Sequence, residues 1–247
     1  MNQKTPEPGI RRSLIVFGVL LTALAATSLS SYLLFHTIAE LVAIAIAIAV
    51  FTVAWNARTM LENGYLQVAG TGLLFVAGIE LLHTLAYKGM GIFVGYDANL
   101  PTQLWIAARY LLAGTLLAAS FMLRRRPAPA GRVLFGFAAV FLLLLLSIFA
   151  VPVFPDCYIE GIGLTPFKIW SEYLIAALLA LGAVTVYRQR RVFSPRVAGH
   201  LVAAILVMIA SELAFTLYVS VYDASNLIGH LLMVLSFGLI YIAFVET

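Results

Sequence analysis

LFHTIAELVAIAIAIAVFTVAW, residues Leu34–Trp55, decides the fold. A hydrocarbon core of about 30 Å takes roughly 20 apolar residues as one helix, so this run is long enough to cross a bilayer. From Leu41 onward its only polar side chain outside the aromatics is Thr52. Its two ionisable residues, His36 and Glu40, both stand near its start. Four apart, they share one helical face. Ionisable groups in lipid cost roughly 2.5–3.5 kcal/mol each at mid-helix on insertion scales. A pair kept at one depth therefore calls for a reason.

The rest of the chain repeats this pattern. Seven further apolar runs bring the expected spans to eight: Ser13–Ser31, Leu34–Trp55, Tyr65–Tyr87, Thr102–Leu123, Val133–Val153, Phe167–Tyr187, Val197–Val219 and Asn226–Val245. Pro101-Thr102, Thr165-Pro166 and Ser194-Pro195 open three of them, with proline where a first helical turn tolerates it. The chain is 63% hydrophobic and 11% charged, with a mean hydropathy of +1.02. Soluble domains lie nearer half apolar and a quarter charged. The fold class is all-α, a polytopic membrane bundle. The expected organisation is a cytoplasmic tail, residues 1–12, followed by one membrane domain, residues 13–247, with no soluble output domain within those residues. The opening is no secretory signal, because it lacks a small-residue cleavage site.

The net charge of +4 does not indicate nucleic acid. The basic residues sit in short connections, where they set orientation. Lys4, Arg11, Arg12, Arg58, Arg124–Arg126, Arg132, Arg188, Arg190, Arg191 and Arg196 fall at one set of helix ends; only Lys88 and Lys168 fall at the other. The positive-inside rule places both termini in the cytoplasm and the loops Lys88–Pro101 and Phe154–Pro166 outside. A single cysteine, Cys157, rules out an internal disulfide.

With that topology eight strongly polar residues share the outer half of the bilayer: His36, Glu40, Glu80, His83, Arg109, Glu172, Glu212 and His230. They are the candidate ligand-binding set. Buried charges pair or neutralise. One arginine, with Lys168 and Lys88 near, does not balance four glutamates, so protonation, charged histidines or a bound cation must close the difference. Imidazoles suit zinc, copper and iron, which makes His36, His83 and His230 candidate metal ligands. A transition metal and a haem held by two of these histidines both stay open. Glu80-x-x-His83 has the spacing of di-iron bundles, but those need two such motifs. HTIAEL at His36 and HTLAYK at His83 are alike, yet one opens a span and the other closes one, so no repeat is assigned.

Plainer readings stand beside these. Single membrane histidines often serve packing, and glutamates near helix ends can reach the interface. Asn226 and Ser171 can join helices. Trp105, Tyr110, Trp170 and Tyr173 read as interfacial belt residues. Cys157 reads as a free outward thiol, with a fourth metal ligand as the minor alternative. GYDANLPTQLW and FPDCYIEGIGLTPFKIW, the two outer loops, are rich enough to lid a pocket.

FHTIAE from Phe35, ELLHTLAYKGMG from Glu80, GYDANLPTQLWIAARY from Gly95, FPDC from Phe154, GLTPFKIWSEY from Gly163, and SELAFTLYVSVY with NLIGH from Ser211 to His230 carry a resemblance. The chain resembles the third type of the bacterial membrane-associated sensor domains. That resemblance implies a multi-pass input module of the inner membrane, whose last helix leads to a histidine kinase or to enzymes of cyclic di-GMP turnover. The expected partners are membrane lipid, a cytoplasmic kinase or diguanylate cyclase output domain, and a second copy in a homodimer. The chain itself is expected to be a sensor and no enzyme, since no serine or cysteine pairs recognisably with a base. A haem or metal redox protein is the alternative function. A transporter is the lesser one, because transporters place their sites at the midplane on broken, repeated helices.

Overall fold

The computed structural model describes residues 8–217 and 223–246, and the side chains of the first helix from Phe17 onward. Lys4, the side chains of Arg11 and Arg12, residues 218–222 and Thr247 lie outside the described residues. So does the end of the expected seventh span and of the SELAFTLYVSVY string.

Eight α-helices follow one another among the described residues: α1 Pro8–Thr27, α2 Tyr32–Asn56, α3 Tyr65–Ala86, α4 Asn99–Phe121, α5 Ala130–Leu145, α6 Pro166–Arg188, α7 Pro195–Ala214 and α8 Ala224–Val245. Seven are long and apolar enough to cross a membrane; the described apolar part of α1, Phe17–Thr27, is shorter. Local chemistry starts them where the sequence indicates. Ser31 caps α2 by accepting from the Leu34 amide, Thr165 caps α6 with Pro166 behind it, and Ser194 caps α7 with Pro195 behind it. Each cap satisfies a backbone donor that the first helical turn leaves without a partner. α5 runs into a π turn, Leu146–Ala150, and stops there. Pro152 disfavours helical backbone at Val151, which leaves the helix at φ −125° and ψ 89°, short of the expected continuation to Val153.

Six helices close a ring in which α2 packs on α3, α3 on α4, α4 on α6, α6 on α7, α7 on α8, and α8 back on α2. α1 lies outside against α2 and α8, and α5 outside against α3. The apolar stretch of α5 is only 6% buried, against 72% for α4, so α4 is an inner wall and α5 is a peripheral helix. At Gly72 of α3 an added Cβ would come within 2.3 Å of Thr115 on α4, which is why two ring helices approach so closely there.

The connections bearing arginine gather at one end. The Gly64 amide donates to the Arg125 carbonyl, and Gln67 exchanges hydrogen bonds with Ala128. At the other end the two long loops are tied together. Asn99 donates to Asp156 and accepts from the Cys157 and Tyr158 amides, and Gln103 donates to the Phe154 and Pro155 carbonyls. A two-residue-per-strand hairpin, Tyr158–Ile159 with Gly163–Leu164, completes this cap.

Candidate functional site

The ring interior is polar at the capped end. His36 and Glu40 enter from the first turns of α2, His83 from the last turn of α3, and His230 from the second turn of α8. All four are buried, and one ligand atom from each lies within 4.8 Å of all the others. The Nε2 atoms of His36 and His83 are 3.2 Å apart. Glu40 Oε1 is 3.1 Å from His230 Nε2, 3.9 Å from His83 Nε2 and 4.0 Å from His36 Nε2. The two HT-x-A strings, assigned to no repeat, thus deliver their histidines to the same point from antiparallel helices.

The rings are held by their far sides. His83 Nδ1 donates to the Pro101 carbonyl at 2.7 Å, and His230 Nδ1 donates to the Asn226 carbonyl at 2.8 Å. A carbonyl only accepts, so each Nδ1 carries a proton and each Nε2 is turned toward the cluster. His36 stacks on Tyr87 with centroids 3.5 Å apart. Its Nδ1, both Glu40 carboxylate oxygens and His230 Nε2 have no hydrogen-bond partner among the described residues. Against the three rings is a cavity of about 20 Å³, lined by His36, His83 and His230 with Tyr87, Trp105 and Phe215, with room for one water-sized or ionic occupant.

The other four residues form a second network beside the first. Glu80 pairs directly with Arg109, and Glu212 lies 3.8 Å from the same guanidinium. Glu172 pairs with Lys168 at 2.9 Å. Glu80 and His83 therefore serve different networks, and the di-iron spacing goes unused. Glu212 sits in the last turn of α7, since that helix ends at Ala214 and not at Val219. Lys168 donates to the Phe215 carbonyl just beyond that end, supplying a buried partner to backbone leaving the helix.

Three residues differ from their sequence reading. Lys168 is fully buried inside the ring and is no outer topology marker. Trp105 is buried as well and is no belt residue: its indole N–H donates to Glu172, Arg109 lies 4.2 Å over its ring, and His83 and His230 pack on its other contacts. It is the wall shared by both networks. Cys157 is buried in the loop cap with its amide on Asn99, so it is neither an outward thiol nor a fourth partner of the histidines; Glu40 takes that place. Trp170 and Tyr173, by contrast, are exposed as a belt requires. His200 lies at the opposite end, 3.1 Å from Glu246. Phe215, which packs on Trp105 and His230, carried no sequence signal beyond its apolarity.

Acidic side chains outnumber basic ones in this interior. Among the described residues, four buried carboxyl groups (Glu40, Glu80, Glu172 and Glu212) stand against two buried basic side chains, Arg109 and Lys168. Both cations sit with Glu80, Glu172 and Glu212, which leaves Glu40 facing three imidazoles.

No curated protein and no solved structure matches the chain. The model of one family, described as a membrane-associated sensor domain, matches residues 27–247, from the end of α1 through the helices that build both networks. The chain is a multi-pass integral membrane sensory domain and belongs to the MASE3 family of membrane-associated sensor domains.

Proposed function

We propose that this sensory domain takes its stimulus at the capped end of the ring, in the pocket lined by His36, His83 and His230, and hands it to a cytoplasmic kinase or cyclic di-GMP output unit. The stimulus is a small ligand, ion or redox cofactor reaching the pocket from the periplasm. Both termini are cytoplasmic in this reading, because the arginine connections gather at the end away from the pocket.

One observation carries the reading: α8 is a single helix of 22 residues that begins at the polar cluster and ends at the opposite face. It spans about 33 Å at 1.5 Å per residue. His230 near its start meets Glu40, and Glu246 just past its end meets His200. A change in what Glu40 and His230 bind therefore acts on a stiff rod whose far end is at the output side. The response can be no larger than the stimulus's differential affinity for the two packings.

Spin labels at Met60 and Tyr241, both exposed and at the inner end, in a Cys157→Ser background test this. Glu40→Gln removes the charge from the pocket, and the distance distribution between the labels is expected to shift. Identical distributions in the two proteins, both folded by thermal melting, would refute transmission through α8.

A further inference from the structure

We propose that His36, Glu40, His83 and His230 bind one divalent first-row transition metal ion, of zinc or copper character, in a four-coordinate site. That the ion is also the stimulus rests on the sensory reading above; that it binds does not.

Donor type comes first. Three neutral imidazoles and one carboxylate form a set that zinc and its neighbours favour over magnesium or calcium, which prefer oxygen. Geometry agrees. Donors at roughly 2.0–2.2 Å from a tetrahedral centre stand about 3.3–3.6 Å from one another. Four of the six separations here are 3.1, 3.2, 3.9 and 4.0 Å, and none exceeds 4.8 Å. Small side-chain rotations close that set around an ion.

The surroundings match a metal site in three further respects. His83 and His230 are oriented by Nδ1 donation to backbone carbonyls, the support that metal-binding imidazoles use. The Glu40 carboxylate is fully buried and neither of its oxygens has a hydrogen-bond partner among the described residues, an expense that a cation removes. A double positive charge beside Glu40 also offsets the excess of buried carboxyl groups over buried basic side chains, four against two among the described residues. The nearest outer pocket, of about 450 Å³ and lined by the first outer loop with Glu160 of the second, shares Tyr87, Lys88 and Ala98 with the cavity at the cluster, so the two adjoin.

A haem is a poor fit to the same residues. Its pocket runs to roughly several hundred Å³, whereas His36 and His83 are 3.2 Å apart with about 20 Å³ of space at the cluster.

The test uses the full chain, purified, stripped with chelator and placed in lipid nanodiscs. Co²⁺ is the probe, because its visible ligand-field bands are intense when four-coordinate and weak when six-coordinate. The expected result is one Co²⁺ per chain with intense bands, displaced by stoichiometric Zn²⁺. Glu40→Gln, His83→Ala and His230→Ala should each weaken binding by more than the roughly 10–100-fold that supporting residues carry, while His200→Ala leaves it unchanged. X-ray absorption of the Zn²⁺-loaded wild type, which needs no variant to fold, should show three imidazole nitrogens and one oxygen. Weak six-coordinate spectra, or affinity indifferent to these substitutions, overturn the proposal. Absence of binding alongside an α8 shift in Glu40→Gln removes the metal and keeps the sensory reading. Binding with this ligand set and an unmoved α8 in both the Zn²⁺-loaded protein and Glu40→Gln keeps the metal and removes that reading.

Discussion

Arg109 is the residue on which the second network turns. It is fully buried, pairs with Glu80, stands near Glu212 and lies over Trp105. A buried pair is weak evidence for stability as such, since its desolvation offsets much of its attraction. Removing one partner is another matter. Arg109→Met leaves two carboxylates without their guanidinium and is expected to cost about 3–5 kcal/mol. The thermal midpoint in micelles should fall well below that of Glu80→Gln, which removes a charge instead of stranding one. Equal midpoints would mean the network is wetter than its burial indicates. The eight polar residues were legible because an apolar background makes each one conspicuous. Their division into two networks was not, because pairing is decided by helices distant in the chain. Lys168 and Trp105 were misread for a different reason. At the edge of a span, lysine and tryptophan have a generic anchoring role, and only the third dimension shows that these two turn inward.

Between elements, the closest fit near the pocket is the crossing of α7 and α8. Ser211 donates to the Gly229 carbonyl at 2.8 Å, and a Cβ on Gly229 would come within 2.5 Å of the Phe215 ring. That ring packs on His230 at 5.0 Å and on Trp105 at 4.5 Å. Gly229→Ala is therefore expected to push Phe215 into the walls of the pocket. Overpacking of this kind costs about 1–3 kcal/mol, and the Co²⁺ spectrum should change with it. The contrasting variant is Gly114→Ala, where a Cβ meets nothing within 4 Å and a neutral or slightly stabilising effect is expected. Element existence was readable almost throughout, since seven long apolar runs admit one structure in lipid. Element ends were less so. α7 stops five residues before its hydropathy does, and the Phe215 carbonyl just past its end accepts from a lysine of α6, a contact of which hydropathy carries no record.

For the molecule as a whole, the direction in which the pocket faces decides what it can sense. Lys168 being buried leaves Lys88 as the basic residue of the two outer loops, and it is paired with Glu160 at 2.7 Å. The contrast with the arginine-bearing end is thereby sharper than the sequence count, which strengthens the positive-inside argument. Val94 in the loop before α4 and Met60 between α2 and α3 are 87% and 82% exposed, so each offers an accessible label position at opposite ends. An impermeant maleimide should modify Val94→Cys in intact spheroplasts and Met60→Cys only after permeabilisation. The wild type provides its own blank. Burial in the loop cap pushes the Cys157 thiol up to about 12. Only the thiolate attacks a maleimide, so at pH 8 the native cysteine stays protonated, shielded and unlabelled, and even at pH 9 it should react only once the protein is unfolded. Rapid labelling of Cys157 in folded protein would show that the loops do not close over the ring as described. Labelling of Met60→Cys from outside, with Val94→Cys protected, would turn the whole bundle over: the three histidines and Glu40 would then open toward the cytoplasm, and any ion they bind would report the metal content of the cell interior instead of its surroundings.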